Sequence, residues 1–275
     1  MTRCLLTIDV EDWFHVENLR SVVTRESWET RERRVVANTR RLLDLLDAHH
    51  ARATCFVLGW VAKREPALVR DISARGHEVA SHGDGHELVY AQSVEDFRTD
   101  VRRAKRTLED ITGQAVLGYR APNFSITNAA LEVLKEEGHS YDASLFPSSF
   151  HDRYGKLAGR EGEAPPVQEI IPGLQEVRVS TLRFAGRELP WGGGGYFRVM
   201  PYRPFRAGIR RILRRTGSYL FYIHPWELDL DQPRVAGLPA GHRFRHYVGL
   251  SKVHDRLARL VSDFRFIPVR DALSK

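Results

Sequence analysis

Cysteine is nearly absent: the 275 residues hold two, Cys4 and Cys55. Each lies in an apolar run and neither belongs to a CxxC pair, so both read as buried free thiols. Also lacking is any apolar stretch near the ~18 residues that a membrane-spanning helix needs. The opening MTRCLLTIDVEDW has too short an apolar run for a signal peptide and meets carboxylates at once, so the expected location is cytoplasmic. Internal repeats and low-complexity tracts are missing. Acidic residues are the minority, 35 against 42 Lys+Arg, for a net charge of +7. That balance suits acidic partners such as anionic glycan or a membrane surface. Aromatic and basic residues do not interleave in any nucleic-acid-binding signature, which sets nucleic acid aside.

What the chain does have is alternation. CLLTID (4–9) is a short apolar run ending at carboxylates, a buried strand running into a polar site. NTRRLLDLLDAHH (38–50) carries a leucine stripe at helical spacing, with Asn38 as the expected N-cap. ATCFVLGWVA (53–62) opens as a strand, and PALVRDISARG (66–76) reads as a helix started by proline and stopped by Gly76. HEVA (77–80) is the next strand. SVEDFRTDVRRAKRTLEDITG (93–113) starts with a capping signal at Ser93. AVLGYRAP gives another strand, and TNAALEVLKEEG (127–138) another helix. EVRVSTL (176–182), SYLFYIH (218–224), the helical SKVHDRLARLVSDF (251–264) and a closing FRFIPV complete the series. Strands alternating with helices predict an α/β fold with a parallel sheet, and about seven such units favour a barrel. Length permits one domain over 1–275. The Gly/Pro-rich stretch 147–175 is expected to be an excursion within it.

Chemically capable residues fall at the expected strand ends. Asp9, Glu11 and Asp12 follow the first strand. His82 and His86, in SHGDGH (81–86), follow the third. Arg120 follows a later strand, and His224 ends SYLFYIH. The histidine pair alone could be solvated loop residues, since two glycines in six residues disfavour a helix there. In a parallel barrel, however, all these strand ends share one face, where such barrels build active sites.

With these residues in place the chain resembles the polysaccharide deacetylase family, carbohydrate esterases of the NodB-type fold. It is most similar to exopolysaccharide-cluster members with a C-terminal extension, here about 200–275. The resemblance rests on TIDVEDWFHV (7–16), SHGDGH (81–86), GYRAPNFS (118–125), WGGGGYFR (191–198) and YIHPWELD (222–229). It implies a distorted (β/α)7-type barrel, a divalent metal, and hydrolysis of an N-acetyl group on an amino sugar. Asp9 matches the catalytic base, His82 and His86 the metal-binding histidines, Arg120 the arginine orienting the base, and His224 the catalytic acid. Trp191 falls where the family places an aromatic wall of the acetyl pocket, with Asn123 and Tyr196 as further substrate-binding candidates. The chain departs from the family where Val10 follows Asp9, so the carboxylate ligand is Glu11 or Asp12. Strand alternation favours Glu11, which shares Asp9's side. Gly83 after the first histidine and Asn123 at the end of the third motif are further departures.

Two imidazoles and a carboxylate leave positions open on a Zn²⁺ ion, and Co²⁺ or Ni²⁺ suit the same donors. Asp9 would take a water proton, His224 would protonate the leaving nitrogen, and a carboxylate at Glu227 or Asp229 would keep His224 charged. The run WGGGG has no P-loop lysine and is expected to let the backbone approach substrate. PYRPFRAGIRRILRRTG (201–217) places arginines on one face of a helix, which fits an exposed basic face. It also fits contact with an anionic glycan, a lipid-linked glycan or the inner-membrane surface. Two other functions remain open on sequence alone: an allantoinase-like amidohydrolase for a small cyclic amide or ureide, and a catalytically silent glycan-binding member.

Overall fold

The computed structural model describes residues 2–146, 157, 166–184 and 186–273. Eleven strands are present among them: β1 (Arg3–Val10), β2 (Thr54–Val57), β3 (Glu78–Ser81), β4 (Gly118–Tyr119), β5 (Tyr141–Asp142), β6 (Val167–Ile171), β7 (Leu174–Val177), β8 (Thr181–Phe184), β9 (Arg187–Pro190), β10 (Ser218–Ile223) and β11 (Phe266–Ile267). The main sheet runs β10-β1-β2-β3-β4-β5-β7-β6, with β11 also on β1, while β8 and β9 form a separate hairpin. Every pairing from β10 to β7 is parallel; only β6, on the edge, is antiparallel. The helices α1 (Val35–Ala48), α2 (Gly59–Arg64), α3 (Pro66–Ala74), α4 (Val94–Thr112), α5 (Asn128–Glu136), α6 (Gly194–Val199), α7 (Tyr202–Thr216), α8 (Ala240–Tyr247), α9 (Val253–Asp263) and α10 (Val269–Leu273) lie between the strands and after them. This is a curled parallel α/β sheet of the distorted-barrel kind that the alternation predicted.

Period-two alternation along β1 sorts its side chains. Cys4, Leu6, Ile8 and Val10 pack into the layer between sheet and helices. Leu5 points the other way, into an inner cluster with Phe56, Ala80, Tyr141, Val177 and Leu220. Thr7 and Asp9 continue that inner row, so the carboxylate of Asp9 emerges above an apolar floor. At the other end of the barrel Glu78 accepts hydrogen bonds from Thr54 Oγ1 (2.5 Å), Tyr141 Oη (2.8 Å) and the backbone N–H of Arg270 (3.0 Å). These bonds, with Val269 N donating to Thr54 Oγ1 at 2.8 Å, seat α10 across the bottom.

No strand pair closes the curl between β7 and β10 among the described residues. The seam is bridged by the segment between them. Val179 N donates to Leu145 O (3.1 Å), Leu220 N to Ser180 Oγ (2.8 Å), and Tyr222 N to Gly192 O (2.7 Å). Gly192 is required here, because a Cβ would meet Leu220 O at 2.5 Å.

Most expected elements appear, with two corrections. Helix α1 starts at Val35, so Asn38 is inside it; its side chain is buried and donates to Asp229 Oδ2 at 2.9 Å. The run 53–62 opens as the strand β2, as expected, and continues into α2 where the chain turns at Leu58 and Gly59, with Gly59 N donating to Gly83 O at 2.8 Å. The run 176–182 splits between β7 and β8, interrupted by the seam. The expected excursion lies mostly outside the described residues, at 147–156 and 158–165; its end forms the β6–β7 hairpin.

Candidate active site

The inner face at the C-terminal ends of the strands opens into a cavity of about 400 Å³. Asp9, Glu11, His82, His86 and His224 line it, with Asn123, Tyr196, Tyr222 and Trp226 among their neighbours. The polar residues predicted from three separate stretches therefore meet in one place.

Arg120 organises two of them. It is fully buried, and its guanidinium lies 4.3 Å over the Phe56 ring. Its Nη1 donates to Asp9 Oδ1 (2.7 Å) and Thr7 Oγ1 (2.8 Å), and its Nε donates to Ala143 O (2.9 Å). Its own backbone oxygen lies 2.8 Å from His82 Nδ1. A proton on Nδ1 shared with that carbonyl leaves His82 Nε2 as the lone-pair nitrogen.

The histidine loop is built for its shape. Gly83 has φ +73° and His86 φ +57°, both left-handed. A Cβ on Gly83 would meet Asp100 Oδ2 at 2.8 Å. That carboxylate, from α4, receives the backbone N–H groups of Asp84 (2.7 Å) and Gly85 (2.9 Å). Asp100 is a support that the sequence reading missed, since one aspartate on an amphipathic helix carries no signal of its own.

Glu11, His82 and His86 each offer a ligand atom, all lying within 4.8 Å of one another. Glu11 Oε2 sits 2.6 Å from His86 Nε2, yet this buried oxygen makes no aligned hydrogen bond. A carboxylate oxygen and an imidazole nitrogen that close hold either a proton or a cation between them. Burial alone would raise the Glu11 carboxyl, but the neighbouring His86 and the charge of His224 hold it well below the usual carboxylate range. Burial brings His82 down to about 4, keeping its ring neutral as a ligand nitrogen must be. The donor set therefore fits a divalent ion.

Asp12 does not join this set. Its carboxylate accepts from the backbone N–H of Trp13 (2.9 Å), Arg34 (2.8 Å) and Val35 (3.0 Å), which commits it to capping two helical starts. The chain turns at the end of β1 through a Glu11 N to Asp9 O contact of 3.0 Å, and Asp12 leaves the inner row. Of the two alternatives Glu11 is the one facing the histidines.

His224 ends β10 across the cavity. Its Nε2 lies 3.8 Å from Asp9 Oδ2 and 3.6 Å from Glu11 Oε1, and its Nδ1 lies 2.9 Å from Glu227 Oε1. Burial opposes the charged ring, but the hydrogen bond to Glu227 and the charges of Glu11 and Asp9 win, raising it to about 9. Glu227 is the nearby carboxylate; Asp229 is instead held by Arg34 Nε (2.5 Å) and Asn38. Glu227 is paired with Arg198 Nε at 3.0 Å. Arg198 was not singled out in the sequence, because nothing about one arginine after a glycine run separates it from the surface arginines around it.

Trp191 is a correction. Its indole N–H donates to Phe205 O (2.9 Å), its ring stacks on Phe205 at 5.6 Å, and it packs in the core away from the cavity. The nearby aromatic wall is Trp226, stacked on His224 at 5.3 Å. Asn123 does line the cavity, in a left-handed conformation (φ +52°), with its side chain 3.3 Å from Glu17 Oε2. Tyr196 stands at the mouth, exposed.

The site is thus a cavity on a curled parallel sheet where acid and base groups stand beside a two-histidine, one-carboxylate cluster able to hold a metal ion. Residues 28–141 match the family model described as Polysaccharide deacetylase, and residues 143–274 match a Domain of unknown function (DUF3473). Over residues 28–141, less than half of its length, the chain is therefore similar to polysaccharide deacetylases. It is 32% identical over 117 residues to the Helicobacter pylori peptidoglycan deacetylase, covering 42% of this chain and 40% of that one. It is 28% identical over 134 residues to the Azorhizobium caulinodans chitooligosaccharide deacetylase, covering 48% and 59%. The chain thus spans about half the length of these relatives. Among solved structures, one from Mycobacterium smegmatis described as a polysaccharide deacetylase superposes with a TM-score of 0.63 at 21% identity, covering 99% of this chain and 89% of that one. A family 4 carbohydrate esterase pseudoenzyme from Bacillus anthracis gives 0.54 at 12%, covering 99% and 66%. These structural likenesses establish the fold.

Proposed function

We propose that the protein is a metal-dependent hydrolase removing N-acetyl groups from an amino-sugar polysaccharide or its precursor, in exopolysaccharide biosynthesis. The observation that carries this reading is the approach of Glu11 to His86 within a cluster completed by His82, beside Asp9 and His224. Relatives named peptidoglycan and chitooligosaccharide deacetylases support the substrate class. The exopolysaccharide setting rests on the sequence resemblance, as does contact with a lipid-linked precursor or the inner-membrane surface. No helix among the described residues is long and apolar enough to cross a membrane.

Glu11, His82 and His86 would hold the ion, Zn²⁺ first and Co²⁺ or Ni²⁺ next. A divalent ion there supplies Lewis acidity toward a carbonyl oxygen and lowers the pKa of water. Asp9, fixed by Arg120, takes the proton of the attacking water as its oxygen bonds to the acetyl carbon. His224, charged through Glu227, gives its proton to the nitrogen as the carbon–nitrogen bond breaks. Acetate and a free amine leave, and Asp9 and His224 return to their starting states by proton exchange with solvent. Trp226, stacked on His224, keeps that ring in place and screens one side from water.

Metal analysis of the purified protein, paired with acetate release from N-acetylglucosamine oligomers and peptidoglycan, tests the reading. Bound metal and chelator-sensitive acetate release are expected. Hydrolysis of a cyclic ureide without metal, or no turnover of any acetylated glycan, overturns it.

A further inference from the structure

The catalytic cavity does not end at its mouth. It shares Phe244 and Val248 with a second, open groove of about 550 Å³, lined also by Leu238, Arg243 and Tyr247. All five residues lie in or beside α8, within the segment that matches a domain of unknown function. We propose that this groove is a distal sugar subsite, which binds a neighbouring unit of the glycan whose acetylated residue occupies the catalytic cavity. The proposal rests on the deacetylase reading and adds where the rest of the polymer goes.

Three observations carry it. Phe244 forms the ridge between cavity and groove, and its side chain is 62% exposed, a large apolar area to leave in water without a partner. With Tyr196 and Val199 it makes an apolar lip around one mouth. A pyranose has an apolar C–H face that stacks on an aromatic ring and a rim of hydroxyls that needs donors. Arg243 supplies such donors on the groove wall, and it has no acidic partner among the described residues. The groove is also held in shape before any ligand arrives. Tyr247 Oη accepts from Val235 N (3.0 Å) and donates to Pro233 O (2.9 Å), while Arg198 ties the last turn of α8 to the barrel through the carbonyls of His246 (2.6 Å) and Arg245 (2.9 Å). Preorganised aromatic and guanidinium surface, continuous with a cavity that takes a sugar, fits the next sugar of the same chain.

The test uses N-acetylglucosamine and its β-1,4-linked oligomers up to the hexamer, with wild type, Phe244→Ala and Arg243→Ala. For wild type, kcat/KM should rise about tenfold or more along the series, with most of the gain in KM. Phe244→Ala should flatten that rise, its loss growing with oligomer length, and Arg243→Ala should flatten it in part. Equal kcat/KM at every length, or a Phe244→Ala enzyme losing rate equally on all lengths, overturns the subsite but leaves the deacetylase reading standing. No acetate from any oligomer overturns both. Phe244-dependent sedimentation with anionic phosphatidylglycerol vesicles, without any length dependence, overturns the subsite and assigns the lip to a membrane surface.

Discussion

Arg198 stands 3.0 Å from Glu227, and its remaining donors hold the last turn of α8, so one buried guanidinium joins the partner of the catalytic acid to the wall of the mouth. Glu227 is itself buried, and losing its counter-charge would leave a carboxylate stranded. Breaking such a pair typically costs about 3–5 kcal/mol. Arg198→Met should therefore lower the melting temperature and reduce kcat, whereas Arg211→Met, exposed on α7, should do neither. Differential scanning calorimetry with steady-state kinetics on both variants checks this.

His224 links pH to charge in a direct way. Its folded-state value near 9 exceeds its ordinary 6.5, so the stability it contributes is complete below about 6.5 and disappears as pH rises through about 9. Glu227→Gln removes the hydrogen-bonded carboxylate that opposes burial most strongly, so the His224 midpoint should fall. An NMR titration of the histidine ring protons in metal-free protein reads this; an unmoved midpoint would count against Glu227 as the cause. His224→Ala should lose about 10²–10⁴-fold in turnover while retaining its metal.

The two carboxylates after β1 should separate cleanly. Glu11→Ala is expected to purify with little metal and a near-normal melting temperature. Asp12→Ala should keep its metal but lose about 2 kcal/mol or more, because three backbone N–H groups lose their acceptor. Metal content by mass spectrometry and a urea melt distinguish them. Full occupancy in Glu11→Ala would remove the carboxylate from the proposed ligand set.

Arg120→Lys tests positioning. An ammonium cannot reach Asp9, Thr7 and Ala143 O at once from a stem that also covers Phe56. Turnover should drop on the order of 10²-fold, the scale of a misplaced catalytic group. Apparent substrate affinity should change little. Strong weakening of KM with normal kcat would instead make Arg120 a substrate contact.

Much of this site was legible because its chemistry is concentrated at strand ends. Asp9, His82, Arg120 and His224 each close a strand or follow one immediately, so period and punctuation were enough to bring them to one face. The choice of Glu11 over Asp12 followed from period two on β1, which held for one residue past the strand's end. Trp191 was misjudged because a glycine run beside an aromatic looks the same whether the ring faces substrate or core. Its partner Phe205 decides the matter, and that stacking is a tertiary fact. Asn38 was misjudged as a cap because its real partner, Asp229, is 191 residues away. Arg198, Asp100 and Phe244 carried no local pattern; what they do depends on which helix end or loop the fold sets beside them.

The central place of β1 has a consequence for biogenesis. The strand pairs in register with β10, Arg3 with Ser218 through Ile8 with Ile223, and again with β11. Asp9 and Glu11 therefore wait for more than two hundred further residues to leave the ribosome before the last of their neighbours, His224, exists. Contacts this distant in sequence slow the search for the native state. A nascent chain halted after the 28–141 segment would display β1 with one edge bare, an unpaired strand prone to capture by other chains. Neither of the two matched segments should yield an active centre when expressed alone. Mixing residues 1–142 with 143–275 as separate polypeptides would ask two fragments to rebuild the first strand's far edge between them.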